Sequence, residues 1–440
     1  MTELTNRISP SKYIVAGFAL LIAAGTALLC LPACTADGSG AALSDAAFTA
    51  VSAVCVTGLT VKDTLTYWSP LGQAVILLLI QIGGMGVITV AVSVTALSRR
   101  SVSLRQRSIM QEAISIDSIG DSVSAAVSII KMSLAIELAG ALMLLPPMTG
   151  RYGKAGIWKA FFHSVSAFCN AGFDLAGADS GGSLCAFRGD LPVNAVIMLL
   201  IITGGIGFLT WDDLRKNGLK FRRYRLQTRV VLVMTLLFIL IPAVLFFFLE
   251  FSAEPLPERI LLSIFQAVTP RTAGFYTAGQ SSISEAGRLV TVMLMLTGGA
   301  PGSTAGGMKI TTLAVIGACA SSVFRKKSST ELLGRRLPEE TVRRAAALFL
   351  MYICAFSSAG IAISRIEGLP VLDCLFEAAS AIGTVGLSTG ITSGLGAFSR
   401  IMLMILMFAG RTGGLTLMFS ALAGSERNLS KLPQENINVG

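Results

Sequence analysis

Five stretches of this chain, Tyr13–Leu31, Leu71–Leu97, Val193–Trp211, Thr228–Leu249 and Ile401–Leu422, are predominantly apolar. Each reaches the roughly 20 residues that an α-helix needs to cross hydrocarbon. Composition agrees: 53% of residues are hydrophobic, only 14% are charged and the mean hydropathy is +0.72, so too little polar surface exists to coat a water-soluble globule. The expected product is a polytopic, all-α membrane protein.

The formal net charge of +10 invites a nucleic-acid reading, and the positions of the charges argue against it. Arg99, Arg100, Arg105 and Arg107 follow the run at 71–97, Arg215 to Arg229 follow the run at 193–211, and Arg325 to Arg344 follow a further apolar run at 285–324. Arg7 and Lys12 lie at the start, Arg427 and Lys431 at the end. The intervening connections carry more acids, among them Asp37, Asp45, Asp63, Asp174, Asp179, Asp190, Glu254 and Glu258. Basic residues in alternate connections are a topology signal, which places both termini and the basic loops in the cytoplasm of a multi-pass protein. No nucleic-acid partner is expected. Leu31-Pro32-Ala33-Cys34 loosely resembles a lipoprotein cleavage site, but Pro32 suits it poorly and the first apolar run is read as an uncleaved span. The cysteines show no Cys-x-x-Cys spacing and are read as buried free thiols.

Within this frame one pattern recurs four times: Val56-Thr57-Gly58-Leu59, Asn170-Ala171-Gly172-Phe173, Thr272-Ala273-Gly274-Phe275 and Thr384-Val385-Gly386-Leu387. Each motif ends a short helix-like run and lies between two long apolar runs. Phe48, Phe162 and Phe376 precede their glycines by ten residues (58−48, 172−162, 386−376), and Ser52, Ser166 and Ser380 by six (58−52, 172−166, 386−380). The third copy departs: Phe265 precedes Gly274 by nine (274−265), and Pro270-Arg271 intervene. A period of roughly 100 residues suits a duplicated membrane unit rather than a solenoid. The predicted architecture is four span–short helix–span repeats, with eight membrane-crossing helices and four re-entrant helices around one pseudo-fourfold pore. The repeats divide the chain at 1–98, 99–214, 215–325 and 326–440.

The short runs fall below spanning length, and most lack the basic face of a surface helix, so they are expected to enter the membrane and turn back. Re-entry aims the negative end of each helix dipole at the membrane centre. Backbone exposed there must line protein or water, and glycine supplies the φ values that let successive carbonyls face one way. Four such loops could replace the hydration oxygens of a cation. Val56, Thr57, Gly58, Asn170, Ala171, Gly172, Thr272, Ala273, Gly274, Thr384, Val385 and Gly386 are therefore the candidate ion-binding residues of a selectivity filter.

The run at 285–324 exceeds one span, and its excess centres on five glycines and Pro301 within Gly298–Gly307, which cannot continue a straight helix. At membrane depth this loop must lie in the water-filled pathway, where it is read as a gate of Gly298, Gly299, Gly302, Ser303, Thr304, Gly306 and Gly307, with Lys309 and Arg411. Arg411 interrupts a second repeated signature, Gly83-Gly84-Met85-Gly86, Gly204-Gly205-Ile206-Gly207 and Gly410-Arg411-Thr412-Gly413. An arginine facing lipid there costs roughly 2.5 kcal/mol or more, so it should point into the pore below the filter. Lys131 is expected to snorkel, and Glu137 to face the bundle. A phosphate-binding reading of the 298–309 loop fails on spacing and on the absence of a preceding strand. One histidine, His163, with no triad, metal-ligand or paired-carboxylate cluster, supports no enzyme active site. A secondary transporter with a central organic-solute site remains a rival.

The stretch Phe162-His163-Ser164-Val165-Ser166-Ala167-Phe168 before Asn170-Ala171-Gly172-Phe173-Asp174, the segment Thr269-Pro270-Arg271-Thr272-Ala273-Gly274-Phe275, and Gly298-Gly299-Ala300-Pro301-Gly302-Ser303-Thr304-Ala305-Gly306-Gly307-Met308-Lys309 together resemble the Trk/Ktr/HKT superfamily of potassium transporters. The resemblance extends over nearly the whole chain and is most like the Ktr-type membrane subunit, because the first pore span begins about twelve residues in, without the extra helical pair usual in Trk-type subunits. It implies K⁺ uptake across a bacterial plasma membrane, often Na⁺-dependent, with K⁺ as the only metal, held at the filter. It also implies a homodimer with one pore per subunit and a cytoplasmic ring of nucleotide-binding regulatory subunits, with no covalent cofactor. A Trk-type subunit and a less selective K⁺/Na⁺ transporter stay open.

Overall fold

The computed structural model describes residues 10–97, 122–177 and 182–413. Its helices follow the predicted order four times. The first repeat contains α1 (Pro10–Leu29), α2 (Leu43–Val54), α3 (Pro70–Met85) and α4 (Val87–Leu97). The second contains α5 (Ser122–Tyr152), α6 (Ala155–Phe168), α7 (Leu191–Gly205) and α8 (Phe208–Asn217). The third contains α9 (Leu226–Leu249), α10 (Leu256–Val268), α11 (Glu285–Met295) and α12 (Ile310–Phe324), and the fourth α13 (Glu339–Glu367), α14 (Val371–Gly383) and α15 (Ala397–Thr412). Among the described residues the only strands are a two-residue pair, β1 (Glu331–Leu332) and β2 (Arg335–Arg336).

Four helices, over Lys12–Leu29, Val123–Tyr152, Leu226–Leu249 and Glu339–Glu367, are long and apolar enough to cross a membrane. The short helices α2, α6, α10 and α14 have 12, 14, 13 and 13 residues, as their sequences predict, and stop where the glycine motifs begin. The helices that follow them start on side-chain caps: Ser69 accepts from the Gly72 amide, Asp190 from Val193 and Ser284 from Gly287. In the fourth repeat Gly396 stands at the start of the helix without a side-chain cap, and Glu367, at the end of α13, accepts from the Gly396 amide at 2.9 Å.

Two expectations need correction. The runs at 70–98 and 192–213 are not straight spans: the first breaks at Gly86, and α7 and α8 are bent by 96° at Ile206-Gly207. Gly86, Gly207 and Gly413 hold φ of 89°, 88° and 83°, which is incompatible with a right-handed helix and accessible to glycine. The repeated signature thus marks the end of each helix. The run at 285–324 is two helices joined by the Gly-rich loop, as expected. The basic cluster at Arg99–Arg107, the chain ends with Arg7, Arg427 and Lys431, Asp179, and the last span beyond Gly413 lie outside the described residues.

Packing closes the repeats into a cycle. The helix after each glycine loop packs against the short helix of the next repeat: α3 on α6, α7 on α10, α11 on α14, and α15 back on α2. The phenylalanines of the short helices, Phe48, Phe162, Phe265 and Phe376, are buried to within 1% exposure and form the wall behind the loops.

Candidate functional site

The four glycine loops meet. A Cβ placed on Gly58 would lie 2.3 Å from the Ala171 carbonyl oxygen, on Gly172 2.7 Å from that of Ala273, on Gly274 2.4 Å from that of Val385, and on Gly386 2.2 Å from that of Thr57. Each glycine is thus pressed against the carbonyl of the preceding motif position in the next loop, and the contacts close in the order 58, 172, 274, 386. Only a hydrogen fits at these positions.

The loops share one backbone design. Val56, Asn170, Thr272 and Thr384, two residues before each glycine, have φ of 57°, 58°, 70° and 52°, and the glycines themselves have φ of 90°, 70°, 78° and 92°. Four non-glycine residues in the left-handed region cost about 1 kcal/mol or more each, so the surrounding structure must hold them there. It does so through the conserved pattern within the repeat. The amides of Gly58 and Gly386 donate to Ser52 and Ser380 Oγ, both at 3.0 Å, and Ser166 Oγ donates to the Phe173 carbonyl at 2.7 Å. In the third loop, one residue shorter between hydroxyl and glycine, Thr269 Oγ1 donates to the Phe275 carbonyl. The register break seen in the sequence is therefore a compensated deletion. Asn170 ties loops two and three together, its Nδ2 donating to the Arg271 carbonyl and to Thr272 Oγ1, both at 3.2 Å.

On one side the ring opens into a vestibule of about 270 Å³, lined by Gly58, Gly172, Gly274 and Gly386 with Lys62, Asp63, Asp174 and Tyr276. Asp174 accepts from the amides of Ala176 and Gly177 at 3.1 and 2.9 Å. Burial pushes its carboxyl up to about 6, against the lowering effect of those amides. Above that pH it adds a negative charge to the mouth and below it does not. At limiting cation concentration, flux should fall about threefold as external pH drops from 7.5 to 5, an effect of local counter-ion enrichment. Asp174→Asn should remove that pH dependence; a profile unaltered by the substitution would assign it to another group.

On the opposite side the 296–309 loop crosses beneath the ring and bonds directly to the second and fourth repeats, reaching the first through Arg411. It takes Gly204 and Gly205 of the second repeat, whose carbonyls accept from the amides of Thr304 and Ala300 at 3.3 and 2.8 Å. It takes Gly410 of the fourth, which accepts from the Gly307 amide at 3.1 Å. Thr304 Oγ1 donates to the Phe168 carbonyl at 3.0 Å and to Asn170 Oδ1 at 3.3 Å, directly under the second glycine loop. Arg411, half-buried, links the loop to the first repeat: its guanidinium donates to the Thr304 carbonyl, to Gly83 at 2.5 Å and to Gly84 at 2.8 Å. Lys309 Nζ donates to the Ala305 carbonyl at 2.7 Å. The predicted gate residues and Arg411 are thus brought together, just below the filter candidates.

Glu137 faces the bundle as expected, 2% exposed, and accepts from Gln81 Nε2 with both oxygens at 2.8 and 2.9 Å. Its carboxylate also accepts from Cys169 Sγ at 3.8 Å, one residue before Asn170 of the second loop. Lys131 is exposed, near Arg215 on the wall of a surface pocket. His163 is fully buried, with Nδ1 donating to the Lys159 carbonyl at 2.7 Å and Nε2 accepting from Leu175. Among the described residues no cluster of His, Cys, Asp and Glu could hold a metal ion through side chains. Sequence reasoning missed Asn170 Oδ1 as a contact of the inner loop and Glu377 as a support of the fourth loop; neither had a spacing signal of its own.

The chain is similar to known proteins over nearly its whole length. The chain is 36% identical to the potassium/sodium uptake protein NtpJ of Enterococcus hirae over 450 residues, covering 100% of this chain and 99% of that protein. It is also 36% identical to the Ktr system potassium uptake protein B of Bacillus subtilis, covering 99% and 97%. The crystal structure of the potassium transporter TrkH from Vibrio parahaemolyticus superposes with a TM-score of 0.72 at 21% identity, over 92% of this chain and 83% of that one. The model of the TrkH cation transport proteins matches residues 11–431, and this chain is an integral membrane protein that belongs to that family.

Proposed function

We propose that this chain is the pore-forming subunit of a Ktr-type potassium uptake system, and that K⁺ crosses it through the ring of Gly58, Gly172, Gly274 and Gly386. The observation that carries this reading is the cyclic contact of the four loops, each glycine against a neighbouring carbonyl. Alternating left-handed residues turn successive carbonyls to one side, where they can stand in for hydration oxygens. The C-terminal ends of α2, α6, α10 and α14 bear on the same ring and add their negative dipole ends. The membrane potential supplies about 2.3 kcal/mol per charge per 100 mV, so inward movement needs no chemistry by this chain.

The loop at 296–309, held by Arg411, acts as the gate. The names of the relatives support K⁺ as substrate, with Na⁺ named beside it in one, and a system with further subunits; Na⁺ as an activator belongs to the same proposal. A homodimer placed in the bacterial plasma membrane, termini inward, would offer the basic segments at 215–229 and 325–344 to a cytoplasmic nucleotide-binding ring. Each repeat supplies one loop, so the divisions at 98, 214 and 325 separate functional units.

The test is uptake of Rb⁺ into proteoliposomes with K⁺, Na⁺ and Cs⁺ as competitors. K⁺ is expected to compete as well as Rb⁺ itself, and Na⁺ poorly. Equal competition by Na⁺ would support a less selective K⁺/Na⁺ transporter, a reading that the single glycine in each loop favours. No cation uptake, with stabilisation by an organic solute instead, would overturn the pore.

A further inference from the structure

One residue past each buried phenylalanine, the short helices place a polar side chain behind the ring: Thr49, His163, Gln266 and Glu377, between 0% and 3% exposed. Two of them make the same contact. His163 Nε2 accepts from the Leu175 amide at 3.3 Å, and Glu377 Oε1 accepts from the Thr389 amide at 3.2 Å. Both amides lie three residues past their ring glycine (175−172 and 389−386). In the cyclic order the second and fourth loops face each other across the axis, so these two side chains hold opposing walls.

Glu377 does more than its counterpart. It also accepts from Ser388 Oγ at 2.5 Å and from Thr392 Oγ1 at 2.8 Å. The segment from Leu387 to Gly396 has no regular structure beyond one turn at Thr392–Gly394, so these bonds are what ties its start to α14. Ser388 lies two residues past its glycine, where the second loop carries Asp174, and each accepts from the amide two residues on. The carboxylate of the fourth repeat has thus moved from the mouth to a post behind the wall.

We propose that Glu377 is a positioning residue that fixes the width of the ring at the fourth loop and thereby sets discrimination between K⁺ and the smaller Na⁺. The inference rests on the reading of the ring as an ion filter. A carbonyl ring accommodates a smaller ion by closing inward, and a wall tied through three hydrogen bonds to a buried helix resists that movement. The role belongs to the hydrogen bonds and not to the charge, because glutamine in the same place keeps an oxygen for Thr389 and can reorganise with the two hydroxyls.

The experiment compares Rb⁺ and Na⁺ fluxes in proteoliposomes of the full chain for Glu377→Gln, Glu377→Leu and Thr392→Val. Glu377→Leu, which removes all three bonds, should raise Na⁺ flux relative to Rb⁺ about fivefold, within the range that hydrogen bonds of this kind carry. Thr392→Val, which removes one of the three bonds to Glu377 together with the Thr392–Ser388 contact and is the fallback should the leucine variant fail to fold, should shift the ratio the same way by a smaller factor. Glu377→Gln should keep the ratio within about twofold of the parent. A ratio unchanged in Glu377→Leu or, in its absence, in Thr392→Val would overturn the inference. A glutamine variant as unselective as the leucine variant would also overturn it, by showing that charge sets the ratio. Gly386→Ser, measured alongside, separates the two readings: if it loses selectivity while the Glu377 variants do not, the filter stands and only the role of Glu377 falls.

Discussion

Gly58→Ser and Gly386→Ser will each reduce discrimination between Rb⁺ and Na⁺ by about tenfold or more, equivalent to roughly 1.4 kcal/mol. Two independent effects act at each position. The glycines hold φ of 90° and 92°, where a side chain is strained by about 1–2 kcal/mol. The added Cβ would also stand 2.3 and 2.2 Å from the carbonyl oxygens of Ala171 and Thr57. Those oxygens belong to the neighbouring loops, so one substitution displaces carbonyls on two walls. Relative fluxes of the two cations through proteoliposomes measure the effect, with gel filtration to show that the variants remain folded. Selectivity preserved in both variants would remove the ring from the ion pathway.

Arg411→Ala is expected to raise basal flux, measured without any partner protein, by about tenfold or more. The guanidinium joins the inner loop at Thr304 to the end of α3 at Gly83 and Gly84. Hydrogen bonds from a charged donor contribute about 1.5–3 kcal/mol each. Losing even one such bond shifts a two-state equilibrium about tenfold towards the released loop. Arg411→Lys should fall between, because a single ammonium cannot span acceptors that the planar guanidinium reaches together. Shortening Gly302–Gly307 should act in the same direction. If neither change raises flux, the loop is not the barrier.

Much of this arrangement was legible in the residues. Apolar runs and the alternation of basic connections reveal a membrane protein, and four glycine motifs after short helices reveal the re-entrant repeat. The buried phenylalanines and the hydroxyls at Ser52, Ser166 and Ser380 stood out because they recur in register. Other features lacked such a signal. Gly86, Gly207 and Gly413 sat inside apolar runs that read as straight spans, because φ is a property of the folded backbone and not of composition. The third copy read as a break in register at Phe265 and Pro270-Arg271, and only the folded loop shows Thr269 taking the place of the serine. Glu377 and His163 stand in the same register, one residue past their phenylalanines, but share neither charge nor shape, so residue type alone did not reveal their common contact.

The sequence by itself determined the solvent, the repeat and the conformational permission. Lipid demands long apolar helices, duplication repeats the loop, and glycine at four positions allows φ values that other residues resist. Only the tertiary structure decided that the four loops close into one cycle, that Thr304 of the third repeat lies beneath the second, and that Arg411 reaches across to the first. These contacts join residues more than a hundred positions apart, and their partners are mostly backbone carbonyls. A carbonyl is present at every residue, so which one a side chain meets is set by how the helices pack and leaves no mark in the order of amino acids.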